Sequence, residues 1–513
     1  MRERAIERIM MLLKEESDME INKEKLLKLR KTFWPIVVLI VYICLNVVLI
    51  LHHENWRDEA QAWQIARQLS LPDIFRQLKY EGHPCLWYLI LFPFAKLSFP
   101  FGYMGFISLF FTAIAVYLLL KKAPFCIPVK LVLIFSSCFV YYLPVISRSY
   151  CLIPPILAWL AVLYPQRREK PLWYGLALAL LIQTQIMMIG LAFFLSFFWL
   201  LEVVLEWRKE RQKYGRKYFI QNMEGIGLSL GSALFLIWQL IGSIETNAAV
   251  DAQIASTLHS NLHRINVGSH WAVTELIGMW FDDSAWKTLR LIIVLGMVAL
   301  LLFYAWKEAV IYIGTTAVHF LVFTYVNLAS PQKAQILMLD LVFILWIIMQ
   351  EKREFRIRKW CCQLVLVMIA LISIKGHGPR ILSEIDQAYS SSKEMADYIR
   401  EHVPEDIPLI TTGDVYAEGT AAYLPERIIW YPVTEEAITF LVWNEKRTEI
   451  ISYEEMIGRV KKQYPDAEEI YLLCGEGGNV HDWEAYCPMM QEVLRIDAYA
   501  PNESAILYYT KIE

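Results

Sequence analysis

The sequence predicts a polytopic α-helical membrane protein followed by a small soluble α/β domain. Of its 513 residues, 56% are hydrophobic, and the mean hydropathy of +0.37 is higher than that of an ordinary soluble domain. Apolar segments recur from residue 33 to residue 375, and most approach the ~20 residues that a helix needs to cross a bilayer. After residue 375 the polar residues and prolines return, which indicates a change of environment.

The first 32 residues carry charges of both signs. They lack the basic start, apolar core and cleavage site of a secretory signal. We interpret residues 1–32 as a cytoplasmic lead, so the apolar segment that follows remains as a membrane anchor.

The region 33–375 is predicted to hold the membrane-embedded catalytic part of the protein. About eleven of its apolar segments are expected to cross the bilayer. The segments are 33–51, 84–99, 103–120, 129–146, 150–164, 171–188, 189–206, 222–243, 288–306, 308–326, 333–350 and 360–375.

The basic residues cluster between these segments and indicate orientation rather than nucleic-acid binding. Placing the clusters near 121–128, 165–170, 207–220 and 351–359 in the cytoplasm puts three regions outside: a first loop at 52–83, a second large loop at 244–287, and the chain after 376. The alternation then requires that one segment does not cross. We assign this to 84–99, a short segment flanked by His83-Pro84 and Phe99-Pro100, as a re-entrant or interfacial piece.

Residues 376–513 are predicted to form the extracytoplasmic α/β domain. Strand-like runs alternate there with amphipathic helical stretches. The runs are 407–412, 427–431, 469–474 and 505–509, and the helical stretches are 383–402, 453–463 and 483–494.

The first loop concentrates charged residues between two apolar segments. Asp58 and Glu59 stand at the start of a pattern of apolar residues at helical spacing, which predicts an amphipathic helix on the membrane with both carboxylates at the positive end of its dipole. Glu81 and His83 then return a carboxyl and an imidazole to the membrane surface. A solvated juxtamembrane face is the alternative interpretation.

This set of side chains suits transfer of a sugar from a lipid phosphate. A carboxylate such as Asp58 takes the proton of the attacking acceptor, and the departing phosphate needs a cation. Arg148, at the end of an apolar segment, offers a guanidinium that binds phosphate through two parallel hydrogen bonds. An interfacial arginine that reaches lipid head groups is the alternative. Lys333 also lies at a segment end, without an assigned role.

Three motifs in this order resemble the GT-C superfamily of polytopic glycosyltransferases. They read WRDEAQAW, EGHPCLWY and SRSYCLIPP. The resemblance is to bacterial relatives of protein O-mannosyltransferases and lipid A aminoarabinose transferases, and it covers about residues 33–165. One departure is Cys85, where the usual motif has a second proline.

The resemblance implies roles for six residues. The catalytic pair matches Asp58 and Glu59, with Asp58 as general base. The residues that match those near the sugar and the lipid phosphate are Glu81, His83, Arg148 and Tyr150. The implied activity is an inverting transfer of a monosaccharide from a polyprenyl-phosphate donor, at the outer face of the cytoplasmic membrane, to a glycan, protein or lipid acceptor.

Other features of the sequence bear on the cofactors and on an alternative function. It has no Gly-rich phosphate loop, and we expect no nucleic-acid partner and no bound metal, although a divalent cation is left open. His259 and His263 in the second loop are interpreted as exposed histidines rather than zinc ligands. The alternative function is a transporter or flippase, but His319 and Asp340 are nearly the only ionisable residues within the later apolar segments.

Overall fold

The structure is a computed structural model that describes residues 33–209, 215–255, 296, 303, 305–325, 331–350, 356–442, 449–475, 478–500 and 502–512. The predicted lead 1–32, most of the second loop 244–287 with His259 and His263, and most of the segment 288–306 lie outside the described residues.

The described part of the region from 33 to 386 is almost entirely helical. Its helices are α1 (Phe33–His52), α2 (Arg57–Gln68), α3 (Leu71–Glu81), α4 (Leu86–Lys96), α5 (Met104–Lys122), α6 (Ile127–Ile134), α7 (Ile153–Leu163), α8 (Pro171–Ile182), α9 (Met188–Lys209), α10 (Arg216–Ala255), α11 (Trp306–Tyr325), α12 (Pro331–Gln350) and α13 (Arg356–Asp386). A π-helical turn, Cys138–Tyr142, and a 3-10 helix, Ser149–Leu152, precede α7.

Within the described residues, six helical stretches are long and apolar enough to cross a membrane. They are Phe33–His52, Phe101–Lys122, Ser149–Gln166, Met188–Lys209, Arg216–Leu240 and Lys359–Asp386. Three shorter apolar helices accompany them, Leu86–Lys96, Pro171–Ile182 and Gln335–Gln350. These helices confirm the predicted fold class, while the number of crossings remains a prediction.

The segment predicted to be re-entrant or interfacial forms the short helix α4. Its 11 residues rise about 16 Å at 1.5 Å per residue, which is less than the ~30 Å of bilayer hydrocarbon. The helix contains Pro93, and the chain leaves it through Ser98, whose φ is 59°. Its buried side chains, Trp87, Tyr88 and Leu91 among them, join those of α2 in one apolar cluster.

Two helices extend beyond the apolar segments that predicted them. Helix α10 continues to Ala255 although the apolar run ends near residue 243, and α13 continues to Asp386 beyond the predicted domain boundary at 375. The reason is that a helix satisfies its own backbone hydrogen bonds in water as well as in lipid. Hydropathy therefore marks the edge of the apolar run and not the end of the helix.

The C-terminal region forms a six-stranded mixed sheet with helices, which confirms the predicted small α/β domain. The strands are β1 (Leu409–Thr411), β2 (Ile429–Tyr431), β3 (Glu436–Ala437), β4 (Glu469–Gly475), β5 (Gln491–Ile496) and β6 (Ala505–Lys511), in the order β3-β2-β1-β4-β6-β5. Strand β1 pairs in parallel with β2 and β4, and the other pairs are antiparallel. The helices are α14 (Ser392–His402), α15 (Asp414–Tyr423), α16 (Tyr453–Gln463) and the single turn Trp483–Tyr486.

The prediction of a helix at 483–494 is wrong. Only the turn Trp483–Tyr486 is α-helical, and the chain then passes through the 3-10 turn Cys487–Met489 into strand β5. Strand β5 pairs with β6, with Glu492 opposite Tyr508 and Leu494 opposite Leu507. Long-range pairing with the last strand therefore outweighs the local helical pattern.

Helices α8 and α10 approach one another until their backbones touch. A Cβ atom at Gly175 would overlap the carbonyl group of Gly225. In turn, a Cβ atom at Gly225 would overlap the carbonyl oxygen of Pro171 and lie 2.7 Å from the ring of Trp199. Small residues permit this close packing between apolar helices, where lipid offers no hydrophobic driving force.

We expect Gly225→Ala to lower the thermal unfolding temperature of the detergent-solubilised protein by several degrees. The added methyl group must displace backbone atoms of α8, and overpacking of this kind costs about 1–3 kcal/mol. The matched control is Gly227→Ala on the same helix, because a Cβ there meets nothing within 4 Å. Equal unfolding temperatures for the two variants would show that the contact is not tight.

Candidate functional site

The first loop folds into α2 and α3 and is covered on more than one side. Seven of the 12 residues of α2 are buried. One face packs against α4, and another packs against α15 of the C-terminal domain. The sequence predicted an amphipathic helix lying on the membrane; in the structure its apolar face is enclosed by protein.

Glu59, at the start of α2, accepts hydrogen bonds from two separate stretches of backbone. Its side chain is fully buried. One oxygen, Oε2, accepts a hydrogen bond from the amide of Trp56 at 3.0 Å, which caps the helix, while Oε1 accepts from the amide of Ser147. Glu59 thereby fixes the backbone that immediately precedes Arg148.

His53 lies between two buried carboxylates. Its Nε2 atom is 3.2 Å from Oε2 of Glu59, and its Nδ1 atom is 3.2 Å from Oε2 of Glu384 on helix α13. Burial lowers the pKa of His53, but the two carboxylates outweigh it and raise the pKa from 6.5 to about 10. Because the folded pKa is the higher one, this imidazolium stabilises the fold fully below pH ~6.5 and less as the pH rises through ~10.

Asp58 forms an ion pair with Arg148, between Oδ2 and Nη1. The carboxylate side chain is 42% exposed, whereas that of Arg148 is 13% exposed. Partial burial raises the pKa of Asp58, but Arg148, Arg57 and Lys333 lower it below its ordinary value. Asp58 is therefore ionised at neutral pH and accessible to a ligand.

His83 lies on the other side of the same guanidinium. Its Nε2 atom is 3.3 Å from Nη2 of Arg148. Burial, Arg148 and Lys333 lower the pKa of His83 to about 3, so the ring is neutral. Since Nε2 faces a donor, the proton belongs on Nδ1, a buried atom that has no hydrogen-bond partner among the described residues.

Glu81 ends helix α3 and is held by two amides. Gln61 donates from Nε2 to both Glu81 oxygens, at 2.9 and 3.1 Å, and Gln77 donates to Oε1 at 2.8 Å. Burial raises the pKa of Glu81 to about 7, against the lowering effect of the two amides and Arg148. Glu81 consequently holds its proton to a higher pH than an ordinary glutamate.

Lys333 lies within electrostatic reach of Arg148 and Asp58, although sequence analysis assigns it no role. It stands in the first turn of α12, just before the apolar stretch Gln335–Gln350. Burial and Arg148 lower its pKa to about 8, against the raising effect of Asp58. A single lysine at the start of an apolar segment was the available signal, but sequence alone could not place it beside a residue 185 positions away.

The structure brings together five of the six predicted site residues, drawn from three segments. Asp58, Glu81, His83 and Arg148 interact directly or through their charges. Tyr150, buried at the start of the span Ser149–Gln166, lies within electrostatic reach of Arg148. Glu59 lies beneath them with its oxygens engaged. Among the described residues, no group of three or more His, Cys, Asp and Glu side chains is arranged to hold a metal ion.

Comparison with known proteins finds likeness in structure only. No family model and no curated protein matches the chain. Two solved structures of ArnT from Cupriavidus metallidurans cover 93% of this chain, and the match spans 98% of ArnT, at 10% identity: one bound to undecaprenyl phosphate with a TM-score of 0.41, and one in the apo state with 0.39. ArnT is a lipid A aminoarabinose transferase of the GT-C superfamily, which the first-loop motifs resemble. At this identity and TM-score, the chemistry has to be argued from the side chains.

We expect His53→Leu to destabilise the protein strongly, because it leaves the carboxylates of Glu59 and Glu384 buried without their shared cation. Removing one member of a buried ionic group costs about 3–5 kcal/mol. The measurement is thermal unfolding in detergent at pH 7. His52→Leu is the matched control, since the adjacent His52 is exposed. A double variant, His53→Leu with Glu384→Leu, is expected to recover part of the loss, and no recovery would argue against this arrangement.

Proposed function

We propose that this protein is a membrane glycosyltransferase that moves a monosaccharide from a polyprenyl-phosphate donor to an acceptor at the outer face of the cytoplasmic membrane, with inversion at the anomeric carbon. The observation that carries the proposal is the pair of Asp58 and Arg148, with neutral His83 beside it, where the first loop meets the ends of apolar helices. The site offers one ionised carboxylate and two cations in a partly buried setting.

The cations suit the phosphate of the donor. A polyprenyl-phosphate sugar is a phosphodiester, and the phosphate gains a negative charge when its bond to the sugar breaks. Arg148 can present two N–H groups to this phosphate, and Lys333 adds a second positive charge from α12. Both charges are already in place, so they stabilise the departing phosphate without reorganisation.

Asp58 is proposed as the general base. The acceptor hydroxyl or amine attacks the anomeric carbon opposite the phosphate, its proton passes to Asp58, and the electron pair of the breaking C–O bond leaves with the phosphate. Without a donor, Arg148 is paired with Asp58 and lowers its basicity. A phosphate that competes for Arg148 raises the basicity of Asp58, so the base becomes active when the donor is bound.

The remaining predicted residues receive different roles. We propose that Glu59 is a positioning residue, because its oxygens hold the backbone amides of Trp56 and Ser147 and the ring of His53. His83 keeps the guanidinium of Arg148 oriented. Glu81 and Tyr150 line the space around this pair.

We expect Asp58→Asn to abolish sugar transfer while preserving donor binding. General base catalysis contributes about 10²–10⁴-fold, so the rate should fall by that factor. Transfer is measured as release of polyprenyl phosphate from membrane-extracted lipid-linked sugars, with a membrane fraction as the source of acceptor. Binding is measured with farnesyl phosphate, a short soluble analogue of the lipid phosphate.

Two further variants complete this test. Arg148→Gln is expected to weaken farnesyl phosphate binding at least tenfold, because it removes a charge-assisted contact. Asp73→Asn is the control, since Asp73 pairs with Arg76 on the exposed face of α3. Normal transfer by Asp58→Asn, or unaltered phosphate binding by Arg148→Gln, would reject the proposed function.

The proposed sidedness has its own test. In a cysteine-free background, Arg76→Cys on the exposed face of α3 should react with a membrane-impermeant thiol reagent in intact cells. Lys170→Cys, in the exposed turn before α8, should react only after permeabilisation. The reverse pattern would place the site in the cytoplasm and would exclude an outer lipid-linked donor.

A further inference from the structure

The C-terminal domain reaches the site through helix α15. The hydroxyl of Tyr423 accepts a hydrogen bond from the amide of Asn55 at 2.9 Å, just before α2 begins. Arg67, near the end of α2, donates to the carbonyl of Ala422 at 3.4 Å. A Cβ atom at Gly419 would lie 3.8 Å from the amide nitrogen of Arg57. Helix α15 therefore lies directly against the helix that carries Asp58.

The carboxyl side chain of Glu418, on α15, is buried at this contact. Glu418 is fully buried, and neither of its carboxyl oxygens makes a hydrogen bond of ordinary length and angle to another described residue, although the Leu441 backbone lies close enough to lower its pKa. A buried polar group without a partner costs about 1–3 kcal/mol, and the cost is larger for a charge. Such groups are expected where a ligand supplies the missing partner.

Contacts across the interface connect Glu418 with Glu81. Leu441 of the C-terminal domain donates from its amide to Oε1 of Gln61 at 2.7 Å, and its carbonyl accepts from Nε2 of the same Gln61 at 2.9 Å. That Nε2 also donates to both oxygens of Glu81. Glu418 lies near the Leu441 backbone and within electrostatic reach of Glu81 and Asp58. Glu81, Gln61, Leu441 and Glu418 thus follow one another across the interface between the first loop and the C-terminal domain.

We propose that Glu418 of the C-terminal domain, together with Glu81, binds ring hydroxyls of the sugar on the lipid-linked donor. This inference rests on the proposed function and extends it, because it assigns the sugar subsite to a residue 360 positions after Asp58. The domain would then select the sugar that is transferred.

The protonation state of Glu418 fits hydroxyl groups better than a cation. Burial and the nearby Glu81, Asp414 and Asp58 raise the pKa of Glu418 well above 4.5, against a lowering effect of the Leu441 backbone. The side chain therefore keeps its proton to a higher pH than an ordinary glutamate, and in the protonated form it has one O–H donor and acceptor capacity remaining. A sugar hydroxyl also donates and accepts, so one ring can satisfy both oxygens of Glu418.

The position of Glu418 fits the sugar rather than the phosphate. The charges of Arg148 and Asp58 shift the pKa of Lys333. The charges that shift the pKa of Glu418 include those of Glu81 and Asp58. Asp58 is common to both groups. With the phosphate held by the two cations, the sugar extends past Asp58 towards the two glutamates.

The test compares sugar-bearing and sugar-free lipid phosphates in the full-length protein. The probes are farnesyl phosphate alone and farnesyl phosphate carrying β-linked glucose, mannose or galactose. The wild type should bind at least one sugar-bearing probe more tightly than farnesyl phosphate. Glu418→Leu should weaken that binding about tenfold, as expected for a lost buried hydrogen bond, and leave farnesyl phosphate binding unchanged.

Thr420→Val is the matched control. Thr420 is buried on the same helix, and its hydroxyl has no hydrogen-bond partner within the part of the chain that the structure describes. It stands about 200° around the helix from Glu418, so its loss should not change the preference for a sugar. Thermal unfolding of Glu418→Leu should occur at or above the wild-type temperature, because an unsatisfied buried group has been removed.

Each other outcome is decisive. Equal weakening of all probes by Glu418→Leu, no weakening of any, or a wild type without preference for a sugar would overturn this inference. If Glu418→Leu does not fold, Glu418→Gln replaces it, and an unchanged order and affinity of the three sugars would overturn it equally. Failure of Arg148→Gln to weaken farnesyl phosphate binding would instead reject the underlying function, so the two failures are distinguishable.

Discussion

The candidate site depends on the buried carboxylate of Glu59. This one side chain caps helix α2 through Trp56, holds the amide of Ser147 before Arg148, and faces the imidazolium of His53. His53 extends the connection to Glu384 on α13. In a low-dielectric interior such a network is stable only when its members are satisfied together. The alignment of Arg148 with Asp58 therefore depends on hydrogen bonds that the buried side chain of Glu59 makes within the protein.

Adjacent carboxylates in one helical turn have opposite environments here. Successive residues of a helix point about 100° apart, so Glu59 turns into the interior while Asp58 turns towards the accessible space. Glu59 is fully buried and hydrogen-bonded to backbone amides, whereas Asp58 is 42% exposed and paired with the guanidinium of Arg148. The same residue chemistry thus gives a fixed anchor at one position and a group free to react at the next.

The sequence predicted the class of fold and the residues that carry local signals. Apolar segment lengths gave the helical region, and strand-like runs gave four of the six strands. The order of the motifs placed Asp58 and Arg148 in one site because both follow the ends of apolar segments. Lys333 has only the signal of a lysine at the start of an apolar segment and Glu418 has none, since both are recognised through electrostatic interactions with residues far away in the chain. The role of Glu59 was also hidden, because its partners are mainly backbone amides, which any sequence provides.

The hydrogen bond between His53 and Glu384 joins residues that are 331 positions apart in the chain. A ribosome adds about 5–20 residues per second, so roughly 20–70 s separate the synthesis of the two side chains. During this interval α1 and the first loop have already been synthesised. The imidazole of His53 then has only one of its two carboxylate partners, Glu59. The hydrogen bond between the two side chains cannot form until α13 has been synthesised. The network that holds the site is therefore completed only late in the synthesis of the chain.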